Sequence, residues 1–338
     1  MLKLFLILIM LSLSCSQGNS KKEYLSKYKL ENPKESSLQT LARSYEVRRN
    51  KDNSFEVILP ENENSTIYSL EPNAILLEQD ISIKAKERNA KSPSYQELET
   101  QLKKMAQDFP EIASFNTYGT SDAGNPLFYL RISGKDDHFK PAVMVTGATH
   151  GDEKVGTDVV LLVTSHVLTN YGKVQRITDM VNKNEIYMIP VINADGYINN
   201  ERYCAGLDPN RDYPYPEDKT HKPIKTIEAI IKFSHDKHIA GSLDYHCCGG
   251  DIMYPWAYTT ESVRPEFLSR FKDIGNKMAA SNHYTVGSIS EIMYIAKGSS
   301  ADYYFWKNLS LAYGVEVGSN AEENLESVLV YIENYFDK

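Results

Sequence analysis

Apolar and polar positions divide the chain into two unequal parts. From Tyr95 onward, short apolar runs alternate with stretches of helical spacing. Tyr95, Leu98, Leu102, Met105 and Phe109 fall on one helical face; Ser92 and Ser94 are cap candidates and Pro110 is a stop. The runs Leu127 to Ile132, Ala142 to Thr146, Glu185 to Ile192, Gly241 to Tyr245 and Leu311 to Val317 predict strands. Val155 to Leu168, Ile224 to His235, Glu266 to Ala280 and Ala321 to Tyr335 predict helices. Asn193-Ala194-Asp195-Gly196-Tyr197 reads as a turn, and Gly298-Ser299-Ser300 as a bend into a helix from Ala301. Strands alternating with helices predict an α/β domain over residues 90–338, its sheet covered by helices on both faces.

The first part of the chain has a different pattern. Residues 15–40 are polar and rich in Lys and Ser, and read as a tether. Residues 41–85 predict a small β-containing module. Within it Ser54 to Leu59 alternates like a strand, and Ser65 to Leu70 suggests another. A pro-segment, a binding module and plain decoration all fit it. The charged stretch Ser82 to Ser92 marks the boundary.

Residues Met1 to Ser14 have the pattern of an export signal, with Lys3 ahead of the apolar run Leu4 to Leu13. That run is too short for a permanent membrane span. Leu11-Ser12-Leu13-Ser14-Cys15 is similar to a bacterial lipoprotein processing site, although Ser12 stands where Leu is usual. The expectation is an exported envelope lipoprotein touching the membrane only through Cys15. A plain secretory signal is the alternative.

Composition narrows the function. Of 338 residues, 41% are hydrophobic and 24% charged, which fits a globular protein. A net charge of −8 argues against a nucleic-acid partner, since phosphate binding needs a basic face. Cys204, Cys247 and Cys248 leave two readings open: a bridge from Cys204 to one of the pair, or free buried thiols.

The candidate chemistry centres on His150-Gly151-Asp152-Glu153, placed where a central strand gives way to a helix. In open α/β sheets the crevice at the carboxyl ends of the strands binds ligands. An imidazole and a carboxylate three residues apart can face one point, and both are good zinc donors. HxxE alone is a weak pattern. Two further polar groups, His246 and Glu316, also lie at or near strand ends, so the sheet edge could gather all four.

Together with other ordered motifs, these residues carry a resemblance. They are Asn193-Ala194-Asp195-Gly196-Tyr197, Asp208-Pro209-Asn210-Arg211, His246, Tyr294 followed by Gly298-Ser299-Ser300-Ala301-Asp302, and Glu316. In this order the chain, from about Tyr95 to Tyr335, resembles the zinc carboxypeptidases of the carboxypeptidase A/B type. The resemblance implies a three-layer α/β/α sandwich around a mixed, mostly parallel sheet. It implies one zinc ion held by His150, Glu153 and His246, with Glu316 as general base. Asn210 and Arg211 would clamp the substrate's terminal carboxylate, because a planar guanidinium matches a carboxylate with two parallel hydrogen bonds. Arg202 would polarise the scissile carbonyl, Tyr294 would close over the substrate, and Ala301 would lie at the base of the side-chain pocket. Neutral Ala301 gives no support for a Lys or Arg preference.

Two departures stand out. Asp212 follows the clamp arginine where Asn is usual, and Cys247-Cys248 follows His246. The leading expectation is an exported metallocarboxypeptidase acting on the C-termini of peptides or proteins. A variant acts on peptidoglycan stem peptides, and a third reading is an inactive binding module of the same fold.

Overall fold

The computed structural model describes residues 25–50, 52–79, 92–135, 138–318 and 320–336. The expected export signal, Cys15 and the boundary stretch from Ser82 to Lys91 lie outside them.

Four strands open the described chain: β1 (Leu25–Leu30), β2 (Glu46–Arg49), β3 (Phe55–Pro60) and β4 (Ile75–Glu78). They form an antiparallel sheet in the order β2-β3-β1-β4. Leu38, Leu41 and Ile67 of two short helices, Glu35–Leu41 and Asn64–Leu70, share an apolar cluster with Tyr28, Val57 and Leu59.

This corrects two sequence expectations. The expected tether 15–40 is ordered from Leu25 on, as β1 and the helix that follows. Its polar composition hides a period of two: Ser26, Tyr28 and Leu30 point inward, while Lys27 and Lys29 pair with Glu56 and Asp52 at the surface. Ser65 to Leu70 is helical, not a strand. Only Ile67 in that helix is buried, so no alternation existed to be read.

The larger domain is built on β5 (Ala113–Thr120), β6 (Pro126–Ile132), β7 (Ala142–Gly147), β8 (Glu185–Ile189), β9 (Ile239–Cys247), β10 (Asp251–Tyr254), β11 (Thr285–Ser288) and β12 (Leu311–Val317). They make one eight-stranded sheet in the order β11-β10-β12-β9-β7-β8-β6-β5. The four central strands, β12, β9, β7 and β8, are parallel; β5 and β6 at one side and the β10–β12 pairing are antiparallel. The expected mixed, mostly parallel sheet is what forms, with helices on both faces.

Burial explains why these residues make these strands. Every residue of β7 is buried, as is every residue of β9 except Ala240. Strands covered on both faces need near-continuous apolar runs. A fully buried Val or Met contributes about 1.5–3 kcal/mol. On one face Val143 and Val145 of β7 pack with Val159, Val160 and Val163 of the helix Lys154–Asn170. On the other, Met144 packs with Ile227 and Ile230 of the helix Lys225–Asp236. The N-terminal module joins this second face, since Leu41 and Val47 share a cluster with Tyr213, Ile289 and Tyr294.

Candidate active site

At the end of β7, Ala148 takes a left-handed φ of 46° and turns the chain toward His150. A Cβ on Gly151 would overlap the backbone of Gly196 and Tyr197. The two sequence motifs are therefore packed against each other, and Gly is required where they touch. The second motif is not a turn but a short helix, Ala194–Asn199, capped by the Asn193 side chain, which accepts from the Gly196 N–H at 2.8 Å. The Asn193 amide also donates to the carbonyls of Arg202 and Tyr203 at 3.2 and 3.0 Å, fixing the loop that carries Arg202.

His150, Glu153 and His246 come together and are buried. His150 Nδ1 and His246 Nδ1 are 3.1 Å apart. Glu153 Oε2 is 3.0 Å from each of them. These three atoms make a nearly equilateral triangle. A tetrahedral zinc shell with bonds of about 2.0–2.1 Å has edges of about 3.3–3.4 Å, close to what the side chains already present. The far nitrogens are also engaged. His150 Nε2 lies 3.1 Å from Asp208 Oδ1, and His246 Nε2 lies 3.2 Å from Asp244 Oδ2. The donor set fits a single zinc ion.

The charges of the cluster are mutually supporting. Burial favours neutral forms, yet the His150 and His246 rings hold the Glu153 carboxyl well below the usual carboxylate range. Against burial, Asp244 and Glu153 push the His246 pKa well up.

Glu316 lies in β12, directly opposite His246 of β9 in the parallel register. It lines the same cleft as the three metal-site residues. Burial, and after it the Glu153 charge, pushes its carboxyl up to about 7.

Arg211 and Asn210 sit on a short 3-10 turn, Pro209–Arg211, opened by Asp208, whose side chain accepts from the Asn210 N–H at 2.8 Å. The Arg211 guanidinium donates to the Asn210 carbonyl at 2.7 Å and to the Tyr294 hydroxyl at 2.5 Å. Its Nε has no hydrogen-bond partner among the described residues. The Tyr294 ring lies 5.6 Å from the guanidinium carbon and is turned inward, 4% exposed.

Four residues have surroundings that the sequence did not reveal. Arg202 lines the cleft but is bound to carboxylates, with Nη1 3.2 Å from Glu153 Oε1 and Nη2 2.9 Å from Asp208 Oδ2. Ala301, expected at the pocket base, is buried among Tyr213, Ile289 and Tyr294; Ser299 and Ser300 before it line the cleft. Asp212 turns away from the clamp, accepting from the Ile224 N–H at 2.7 Å and pairing with His221 at 2.8 Å. Asp302 accepts from the Ala257 and Tyr258 amides at 2.8 and 2.9 Å, and burial pushes it up to about 7.

The cysteines follow neither sequence reading in full. Cys247 and Cys248 are bridged to each other, and Cys204 is buried and free.

The N-terminal module reaches this cleft, which sequence reasoning missed. Glu46, Val47 and Arg48 of β2 line it together with the metal-site residues. Arg48 pairs with Glu46 and donates to the Cys247 carbonyl at 3.4 Å. Despite burial, the charges of Glu46, Glu316 and Glu153 push its pKa up. Arg49 donates to the Glu291 carbonyl at 2.6 Å. No local signal in β2 could have announced this docking, because its partners lie some 200 residues away in sequence.

A family model described as "Zinc carboxypeptidase" matches residues 98–333. The chain belongs to the zinc carboxypeptidase family. Mouse carboxypeptidase A2 is 23% identical over 261 residues, covering 66% of this chain and 61% of that protein. The alignment thus spans about three-fifths of that relative. The crystal structure of a carboxypeptidase A from Helicoverpa armigera superposes with a TM-score of 0.76 at 20% identity, covering 93% of this chain and 98% of that one. The structure of thrombin-activatable fibrinolysis inhibitor gives a TM-score of 0.68 at 17% identity, covering 92% and 95%. The His150, Glu153 and His246 group fits the single zinc ion that such a carboxypeptidase binds.

Proposed function

We propose that this chain is an exported zinc metallocarboxypeptidase that hydrolyses the C-terminal peptide bond of peptides or proteins. The observation that carries the reading is the triangle of donor atoms at 3.0–3.1 Å with Glu316 in register beside it. When bound, zinc polarises the scissile carbonyl and acidifies water. The chain's own groups do the rest. Arg211 and Asn210 hold the substrate's terminal carboxylate, which fixes the last carbonyl at the metal site. The unpartnered Nε of Arg211 supplies a donor for this, and Tyr294 must yield Nη2 when the carboxylate arrives. Glu316 accepts the proton from the attacking water and delivers it to the leaving amine. Arg202 steadies Glu153 and Asp208 and presents its remaining N–H edge to the cleft.

The lining around the metal site supports an apolar last residue. Met253, Ile289, Met293, Ala296 and Gly314 contribute no charge. The same cleft also carries Glu46 and Arg48, charges that the ammonium and carboxylate of a diaminopimelate end would meet, so the substrate test below decides between the two. Glu46, Val47 and Arg48 of the N-terminal module line the cleft, so the module narrows substrate entry and acts as a partial mask. Export through the Met1 to Ser14 signal, with Cys15 as lipid anchor, rests on the sequence pattern alone.

The test is hydrolysis of three substrates read by HPLC: peptides ending in Phe or Leu, peptides ending in Lys, and muropeptides ending in diaminopimelate. Release of the apolar residue at the highest kcat/KM is expected. Release from muropeptides alone would move the activity to stem peptides.

A further inference from the structure

We infer that Asp244 is a positioning residue for the metal site, fixing the tautomer and direction of His246. An aspartate in the middle of a buried strand is costly unless its oxygens are paired. Asp244 is 5% exposed in β9, two residues before His246, and alternation puts both side chains on one face of the strand. Oδ1 accepts from the hydroxyls of Thr146 and Thr149 at 2.9 and 2.8 Å. Oδ2 accepts from the Ser300 hydroxyl at 2.8 Å and lies 3.2 Å from His246 Nε2. This carboxylate therefore joins the end of β7, strand β9 and the start of the helix Ser300–Asn308 at one point.

The proton on His246 can be located. Asn210 Nδ2 is also near His246 Nε2, at 3.3 Å. The Asn210 oxygen accepts from the Ser300 N–H at 2.9 Å, so the atom facing the imidazole is the amide NH2, a donor. With Nδ1 turned to the metal site, Nε2 carries the hydrogen, and only Asp244 can accept it. The pair repeats on β9 what Asp208 does for His150. A carboxylate behind a ligating histidine fixes its ring and raises its basicity; losing such a partner costs about 10–100-fold in metal affinity.

The experiment is a zinc titration by competition with a chromophoric chelator, with the melting temperature of the zinc-free protein recorded in parallel. Asp244→Asn keeps the size and one acceptor and removes the charge. Its zinc Kd is expected to rise about 10–100-fold. Asp244→Ser, smaller but still polar, should fall in the same range and serves if the first variant folds poorly. Thr146→Val removes a partner of Asp244 that does not touch His246; it should lower the melting temperature and leave the zinc Kd unchanged. A Kd within about threefold of wild type in the Asp244 variants, against the loss that a working partner predicts, would overturn the inference. So would an equal loss of zinc affinity in Thr146→Val. Zinc affinity is read without substrate, so the outcome is independent of which peptide the protein cleaves.

Discussion

Glu316 of β12 stands opposite His246 of β9 in an unbroken parallel register that runs from Leu311 opposite Gly241 to Val317 opposite Cys247. A rigid sheet interior, not a loop, thus sets the candidate base beside a metal ligand. A one-residue slip would turn Glu316 to the other face.

Glu316→Gln should keep its zinc and lose kcat/KM by about 10²–10⁴-fold, the usual worth of a positioned general base. The pH dependence has a definite sign. Burial and Glu153 push the Glu316 carboxyl up to about 7, and the base works only when ionised. Activity should therefore rise with pH through that group's pKa, and the positive charge of bound zinc should move this limb to lower pH. A pH–rate profile of both proteins checks it: the acid limb belongs to wild type and should vanish in the variant. Substantial activity in Glu316→Gln would assign the base elsewhere.

Arg211→Ala should raise KM for free-acid peptides by roughly thirtyfold, about 2 kcal/mol, with little change for C-terminally amidated ones. The comparison isolates the terminal carboxylate. Equal effects on both substrates would mean that Arg211 only supports the loop around Tyr294.

Arg202→Ala separates two roles. The guanidinium is bound to Glu153 and Asp208, so the variant should raise the zinc Kd by about tenfold as well as lower kcat. An unchanged zinc Kd with a lower kcat would return Arg202 to the substrate-polarising role that the family resemblance implies.

Removal of the N-terminal module should expose the cleft. A chain beginning at Ser92 should exceed the full chain in kcat/KM by more than about tenfold, equivalent to about 1.4 kcal/mol of masking. Arg48→Ala in the full chain should give part of that gain. Equal activity of all three would show that β2 does not obstruct substrate.

The larger domain was legible because its chemistry and its architecture share one signal. Apolar runs such as Ala142 to Val145 mark buried strands, and the polar residues that interrupt the pattern at their ends, His150 and His246, are the metal-site residues. Short or half-exposed strands escaped: β10 and β11 have four residues each, and β5 is partly exposed along its length. The module was misjudged because the stretch 15–40 is rich in Lys and Ser as a whole, while the alternation within β1 decides its fold. Asp244 was unreadable for another reason. His246 shares its strand, but Thr146, Thr149 and Ser300 lie some 56 to 98 residues away in sequence and meet it only through packing.

Mass spectrometry of a free-acid peptide incubated with zinc-loaded protein, as the full chain and as the chain from Ser92, tests the central claim most directly. The account predicts a ladder shortened one residue at a time from the C-terminus, stopped by a chelator and restored by zinc. Intact peptide from both forms, or internal fragments that persist in chelator, would contradict it.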